Sequence, residues 1–435
     1  MASIHRPLSS RRAVDHTRRD GFAPDSPEPS GPLASLHVDS YPRLWASGGL
    51  WNVTRWMTIF LSSFLVNKLT GSPLLVQLVG TSFFLPMFVG GVAAGAISDR
   101  FDRRRTVMRQ LVGLVPAAVL MSVLVTSGHI QTWMLYLFAM AVGIGQVVDM
   151  TNRRALVNDL VGDRLFPNAM ALEALSMAAG NMGGSLTGGT VIDLLGEGPA
   201  YGLVGVFYLV CFLLMRGVRS VPRRSDLPGA PKRPTDLASV RADLAEGFRT
   251  LPANRAFVSL LGVTVAMNFL FFSFMPMIPV LAKRFEVGAF LTGVLASAYG
   301  LGMLAGSLLM VLTNPARRGV VYVISSFGAM ASLVVFTQID RFVPALAALV
   351  VTGMCSAGFA SVQSALVVAC NPPEVRGRAM GMLAMAIGSL PFGMMLLGLL
   401  AERVGPQSAI VYCAGGGFVG LALWLLRRPE VLRID

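Results

Sequence analysis

Charged residues fall on this 435-residue chain in bunches, and long stretches with none run between them. Twelve such stretches stand out, at 44–67 (interrupted by Arg55), 69–98, 110–127, 130–148, 174–192, 198–215, 256–282, 287–316, 319–339, 342–373, 379–401 and 404–426. A bilayer-spanning helix needs about 20 mostly apolar residues. The pattern therefore predicts an all-α membrane protein with twelve transmembrane helices, trimmed at Gly71, Pro73 and Pro372–Pro373.

The charges between these stretches add an orientation. Of the 36 Lys and Arg, 30 lie in the two terminal segments and the even-numbered connections, and Lys68, Lys283, Arg284, Arg341 and Arg403 lie opposite. The positive-inside rule then places both termini in the cytoplasm of a multi-pass protein in the cell (inner or plasma) membrane. The same asymmetry accounts for the net charge of +13, so no nucleic acid is expected as a partner. Only 14% of residues are charged, too few to clothe soluble domains of this size.

Five regions follow: a disordered cytoplasmic tail at 1–40, a six-helix bundle at 41–219, a Pro-containing linker at 220–254, a second bundle at 255–428 and a short tail at 429–435. Residues 1–40 lack the apolar core of a secretory signal. The four cysteines show no CxxC spacing, so neither a disulfide framework nor a metal site is expected.

Shifting the chain by 210 residues brings Ala155-Leu156-Val157 onto Ala365-Leu366-Val367, Ala169-Met170 onto Ala379-Met380, Gly143 onto Gly353 and Gly188 onto Gly398. The matches occupy corresponding places in the two bundles. Two parallel six-helix pseudo-repeats place a substrate site between them near the bilayer midplane.

Between the second and third stretches the chain reads Gly95-Ala-Ile-Ser-Asp99-Arg100-Phe-Asp102-Arg103-Arg104. This resembles the loop motif G-x-x-x-D-R-x-G-R-R/K of the major facilitator superfamily, with Asp102 where the second glycine stands. The resemblance implies the twelve-helix facilitator fold and a conformational latch built from Gly95, Asp99, Arg100, Arg103 and Arg104, in which the motif acid acts through the start of the eleventh helix. It also implies that a motif arginine pairs with an acid at the cytoplasmic end of the fourth helix, where Asp149 stands. Arg103 with Asp149 is the expected pair, and Arg153 is the competing partner for Asp149 one helical turn on.

In the fifth stretch Gly180, Gly184, Gly188 and Gly189 resemble the antiporter motif of exporting subfamilies, with Ala171 and Ser185 at its first-glycine and proline positions. Such spacing lets helices approach closely. The segment 145–172 and Pro373-Glu-Val-Arg-Gly-Arg-Ala-Met-Gly381 resemble the bacterial branch of enterobactin-exporter-like proteins. The resemblance spans about residues 41–428 and implies efflux of siderophores, drugs or other metabolites.

Candidate chemistry centres on Arg55, at the middle of the first stretch, where a charge costs several kcal/mol unless it faces a cavity or a partner. Its donors suit a carboxylate, catecholate or phosphate group on a substrate. Buried pairing with another helix, or snorkelling from a shifted helix, is the structural alternative. Asn52, Gln146, Asn181, Asn268 and Gln363 are neutral polar candidates for the same chamber, or for interhelical hydrogen bonds. Glu173, about six residues into the fifth helix, is the candidate proton carrier, or a mouth residue paired with Arg153, Arg154 or Arg164. A cluster of Met and Phe at 267–277 suits an apolar pocket or core, and Pro276 and Pro279 predict a bend there.

No HExxH or Walker A motif is present, and the chain has three lysines, so an enzyme and an ATP-driven pump are not expected. The expected function is a secondary active transporter, an antiporter exporting a small organic molecule. It would need no cofactor beyond a proton gradient and would work as a monomer in the lipid bilayer. An importer or proton symporter of the same fold is the alternative.

Overall fold

The computed structural model describes residues 31, 33–98, 102–219, 254–372 and 375–434, those of 90–98 by their backbone alone. The described residues are helical, without a strand. In chain order the helices are α1 (Tyr41–Thr70), α2 (Pro73–Ser98), α3 (Arg103–Thr126), α4 (Thr132–Leu195), α5 (Glu197–Arg216), α6 (Arg255–Phe285), α7 (Ala289–Thr313), α8 (Arg318–Thr337), α9 (Phe342–Ala369), α10 (Arg376–Val404) and α11 (Pro406–Arg427). Nine of them, α3 to α11, are long and apolar enough to cross a membrane, and α2 carries a shorter apolar run, Pro73–Val89. The chain is a multi-pass membrane protein. α1 has the length but is diluted by Asn52, Arg55 and its Ser and Thr residues, which is what a helix facing a polar chamber requires.

The longest helix, α4, is two arms. At Gly162 the backbone takes φ 72° and ψ 170°, a conformation essentially confined to glycine, and residues 132–161 there give way to 163–195. Both arms extend well past the apolar stretches that predicted them. Arg153 is therefore an interior helix residue, only 3% exposed, and not part of a topogenic loop. Glu173 lies ten residues into the second arm, deeper than expected.

α6 does not simply bend at its prolines. It passes through a π-helical turn at Met267–Phe271 and a 3-10 stretch at Phe272–Met277 before resuming as Ile278–Ala282. Pro276 lies within the 3-10 stretch, where its missing N–H interrupts the helical ladder. A second π-turn, Val411–Gly415, interrupts α11 and packs against the first.

Residues 33–40, expected to belong to a disordered tail, are ordered. Ala34–His37 forms a 3-10 turn, Ser35 Oγ donates to Asn168 Oδ1 at 2.6 Å, and Ala34, Ser35 and Val38 are buried. The composition of the tail hid this because the anchoring group, Asn168, lies 133 residues away. The other tail is also docked: Ser259 Oγ donates to the carbonyl of Arg428, and the Gly319 N–H donates to that of Ile434. Of the linker at 220–254, residues 220–253 lie outside the described residues, and Asn254 caps α6.

Lipid gives helices no hydrophobic reason to associate, so close packing and hydrogen bonds must hold the bundle. Glycines supply the packing. A Cβ on Gly143 would collide with the Phe83 carbonyl, and one on Gly353 with the Tyr299 carbonyl. The first joins α4 to α2 and the second α9 to α7, the same relation in each half of the chain.

Candidate functional site

Two halves, residues 33–219 and 254–434, face each other, and the hydrogen bonds joining their described residues cluster at one end. That far end carries the connections at 71–72, 127–131, 196, 286–288, 338–341 and 405, opposite the chain termini. There Asn67 Nδ2 donates to Pro279 O (3.0 Å), Ser72 Oγ to Glu402 (2.9 Å), Gln77 Nε2 to Ser273 O (2.9 Å) and Ser297 Oγ to Met182 O (2.7 Å). Backbones touch where α4 meets α7: a Cβ on Gly189 would lie 2.6 Å from Ala289 O, and one on Gly293 2.6 Å from Ser185 O. The halves are closed against each other at the far end.

Beneath this closure is a cavity of about 30 Å³ lined from both halves, with Trp56, Phe60, Ser63 and Asn181 opposite Met275 and Tyr299. It has room for about two waters. Trp56 Nε1 and Ser63 Oγ find no hydrogen-bond partner. The chamber is thus collapsed at its far end around polar groups that a larger occupant could satisfy.

Arg55 stands one residue from this lining at the midpoint of α1, about 21 Å from either helix end at 1.5 Å per residue. It is 6% exposed, its guanidinium lies over the Trp56 ring at 5.2 Å, and its Nε has no acceptor. Two turns nearer the terminal end, α1 carries Gly48, whose absent side chain leaves room for two charged groups. A Cβ there would lie 3.3 Å from Arg153 Cδ and 3.4 Å from Glu173 Oε2.

Arg153 is fully engaged. It grips Asp149 through Nε (3.1 and 3.0 Å) and Nη2 (2.7 Å), and its Nη1 donates to Leu44 O on α1. Glu173 is half-buried and has no hydrogen bond or ion pair among the described residues, although Arg153, Asp149, Arg154 and Arg55 all act on it electrostatically, as it acts on Tyr41. Around α1 the first half therefore gathers two cations and two acids: one tightly paired and buried couple, Asp149–Arg153, and two groups without a direct partner, buried Arg55 and half-buried Glu173.

The expected Arg103–Asp149 pair is not formed. Arg103 pairs with Asp159, two to three turns further along the same arm, because that arm runs past residue 148 and carries Asp159 down to the start of α3. Arg104 donates to the carbonyls of Met215 (3.2 Å) and Arg216 (2.7 Å), placing its charge at the C-terminus of α5. Asp102, the departure from the motif glycine, caps α3 by accepting from Arg105 N at 2.7 Å. Gly95 lies in α2, while Asp99 and Arg100 lie outside the described residues.

Of the neutral candidates, Asn181 lines the cavity. Asn52 is buried where Gly180 brings α4 against α1. Gln146 accepts from Trp51 Nε1, Asn268 donates to Thr264 O within its own helix, and Gln363 donates to Thr264 Oγ1 and the Tyr322 hydroxyl. These three serve hydrogen bonds inside one half. Gly180, Gly184 and Gly188 face α1, whereas Gly189 faces α7 in the other half. Sequence reasoning missed Trp56, Ser63 and Tyr299. The α1 residues could have been found from their position on Arg55's side of the helix, and Tyr299 as the one tyrosine in a Gly- and Ala-rich helix.

The description "Transmembrane secretion effector" matches residues 30–432 of the chain. The enterobactin exporter EntS of Shigella flexneri is 25% identical over 357 residues, covering 81% of each chain. Among solved structures, a bacterial homologue of the human lysosomal transporter Spinster, inward-facing and unoccupied, aligns with a TM-score of 0.65 at 16% identity over 91% of this chain and 96% of that one. The D-xylose–proton symporter aligns at 0.66 and 14% identity, covering 89% and 98%.

Proposed function

The chain belongs to the Transmembrane secretion effector family of the major facilitator superfamily, and we propose that it exports a small organic molecule by alternating access, in exchange for protons. Transporters of this superfamily are not enzymes, and this chain is a transporter. The direction of transport is read from the similarity to enterobactin exporters and from the glycine spacing in α4. The twelve crossings follow from counting α4 as two, which makes two six-helix pseudo-repeats and puts both termini on one side, the cytoplasm by their arginines. The far-end closure then corresponds to a chamber shut toward the outside.

The observation that carries the reading is Arg55: a buried cation in mid-membrane, with an unsatisfied donor, beside a cavity shared by both halves. A substrate oxygen would supply the missing acceptor. Glu173, partly open and held by no ion pair, is the group that can take up and release the exchanged proton.

Everted membrane vesicles test this. Acidifying their interior should drive uptake of a substrate from a panel of siderophores and lipophilic drugs, and an uncoupler should stop it. Arg55→Gln should lower that uptake about 10- to 150-fold, the value of a hydrogen bond to a charged group. Glu173→Gln should abolish its dependence on the gradient. Uptake into right-side-out vesicles alone would make the protein an importer and overturn the proposal.

A further inference from the structure

A second concave site lies away from the chamber, on the outer surface of the second half. It is a groove of about 440 Å³ between α6 and α11, lined by Val258, Leu261, Gly262, Val265, Gly420 and Trp424 among others, every one apolar or glycine apart from the indole N–H. That N–H is already used, donating to Ser259 O at 3.2 Å, which holds the ring flat against Gly262. At the deep end the groove stops where the π-turn of α6 meets that of α11. From Val258 to Ala266 the helix rises about 12 Å, most of the roughly 15 Å depth of one hydrocarbon leaflet.

The shallow end carries charge. Arg255 precedes Ser259 by one turn, and Ser259 Oγ donates to the carbonyl of Arg428, which brings the end of α11, with Arg427, to the same level. Arg255 and Arg427 are both exposed, and neither has an ion-pair partner among the described residues. Glu430, three residues from Arg427 in the chain, has a carboxylate oxygen buried without a hydrogen-bond partner and forms no ion pair with either cation. An apolar slot about one leaflet deep, headed by two guanidinium groups that have no ion-pair partner among the described residues, complements the charge and shape of a phospholipid with a negative headgroup.

We propose that this groove binds an anionic phospholipid, one acyl chain lying between α6 and α11 over Gly420 and its headgroup phosphate resting on Arg255 and Arg427. The site is independent of the transport chamber, which it does not touch. Neutral lipid also fits the slot but cannot repay the arginines.

Native mass spectrometry of the full-length protein in micelles holding equal amounts of phosphatidylglycerol and phosphatidylcholine tests it. The wild type should retain phosphatidylglycerol in preference, by about fivefold for each arginine and roughly 25-fold for the two. The double variant Arg255→Gln/Arg427→Gln should bind the two lipids equally. Gly420→Leu should lose both, since a Cβ at Gly420 meets nothing within 4 Å and the added side chain fills the groove without disturbing its walls. Equal retention of both lipids by the wild type, a preference that survives loss of both arginines, or undiminished binding by Gly420→Leu would each overturn the proposal.

Discussion

Replacing Arg153 with Ala should be among the most destabilising single changes in the first half, lowering stability by about 3–5 kcal/mol, the cost of stranding one member of a buried ion pair. The side chain is 3% exposed, holds both oxygens of Asp149 and ties α4 to α1 through Leu44 O. Its loss leaves the Asp149 carboxylate buried with Arg55 as the remaining interior cation of its immediate surroundings. Removing both partners removes the stranded charge. The Asp149→Ala/Arg153→Ala double variant should therefore unfold at a temperature closer to wild type than Arg153→Ala does. Thermal unfolding of the wild type, the two single variants Asp149→Ala and Arg153→Ala, and the double variant in one detergent checks this. A single variant as stable as wild type would mean that the pair carries no net weight.

A second large effect is expected at the far-end closure, where Gly293 meets the α4 backbone. A Leu at this position cannot be accommodated while Ser185 O stands 2.6 Å from its Cβ. Overpacking of this kind costs roughly 1–3 kcal/mol, and the cost falls only on the state in which the far end is shut. The ratio of far-end-closed to far-end-open molecules should fall by about 5- to 160-fold, with transport slowed to match. Cysteines placed at the far-end mouth should become more reactive to impermeant reagents, and those at the terminal-end mouth less so. Loss of transport without this exchange of accessibility would mean that Gly293 serves folding alone.

How far the sequence foretold this structure depended on whether a feature was local. Charge-free runs located the helices well because the bilayer admits few charges and imposes one length. They failed where a charge is buried: the competing pairing of Asp149 with Arg153 one turn on is the one that forms, but Arg153 was counted among the charges of a connection, and its burial follows only from the helix continuing past its apolar part. Gly162 carried no signal either, for a glycine in a polar segment reads as any other loop residue, and its φ is set by the two arms it joins. The partner of Arg103 was misread for the same reason, the arm being longer than its apolar part. The two π-turns and the docking of residues 33–40 on Asn168 arise from contacts between distant segments, which no single stretch records. Arg55 was legible, since an arginine in the middle of an apolar run has few explanations. The cavity beside it was not, because half of its walls come from α6 and α7.

The account turns on two halves that open alternately around Arg55. Pulsed electron-resonance distances in lipid nanodiscs test that directly, with one spin-label pair spanning the halves at the far end and another at the terminal end. The account predicts two populations whose distances change in opposite senses, the far-end-open one enriched by Gly293→Leu. One fixed distance at each end, unmoved by that substitution or by acidification, would contradict it.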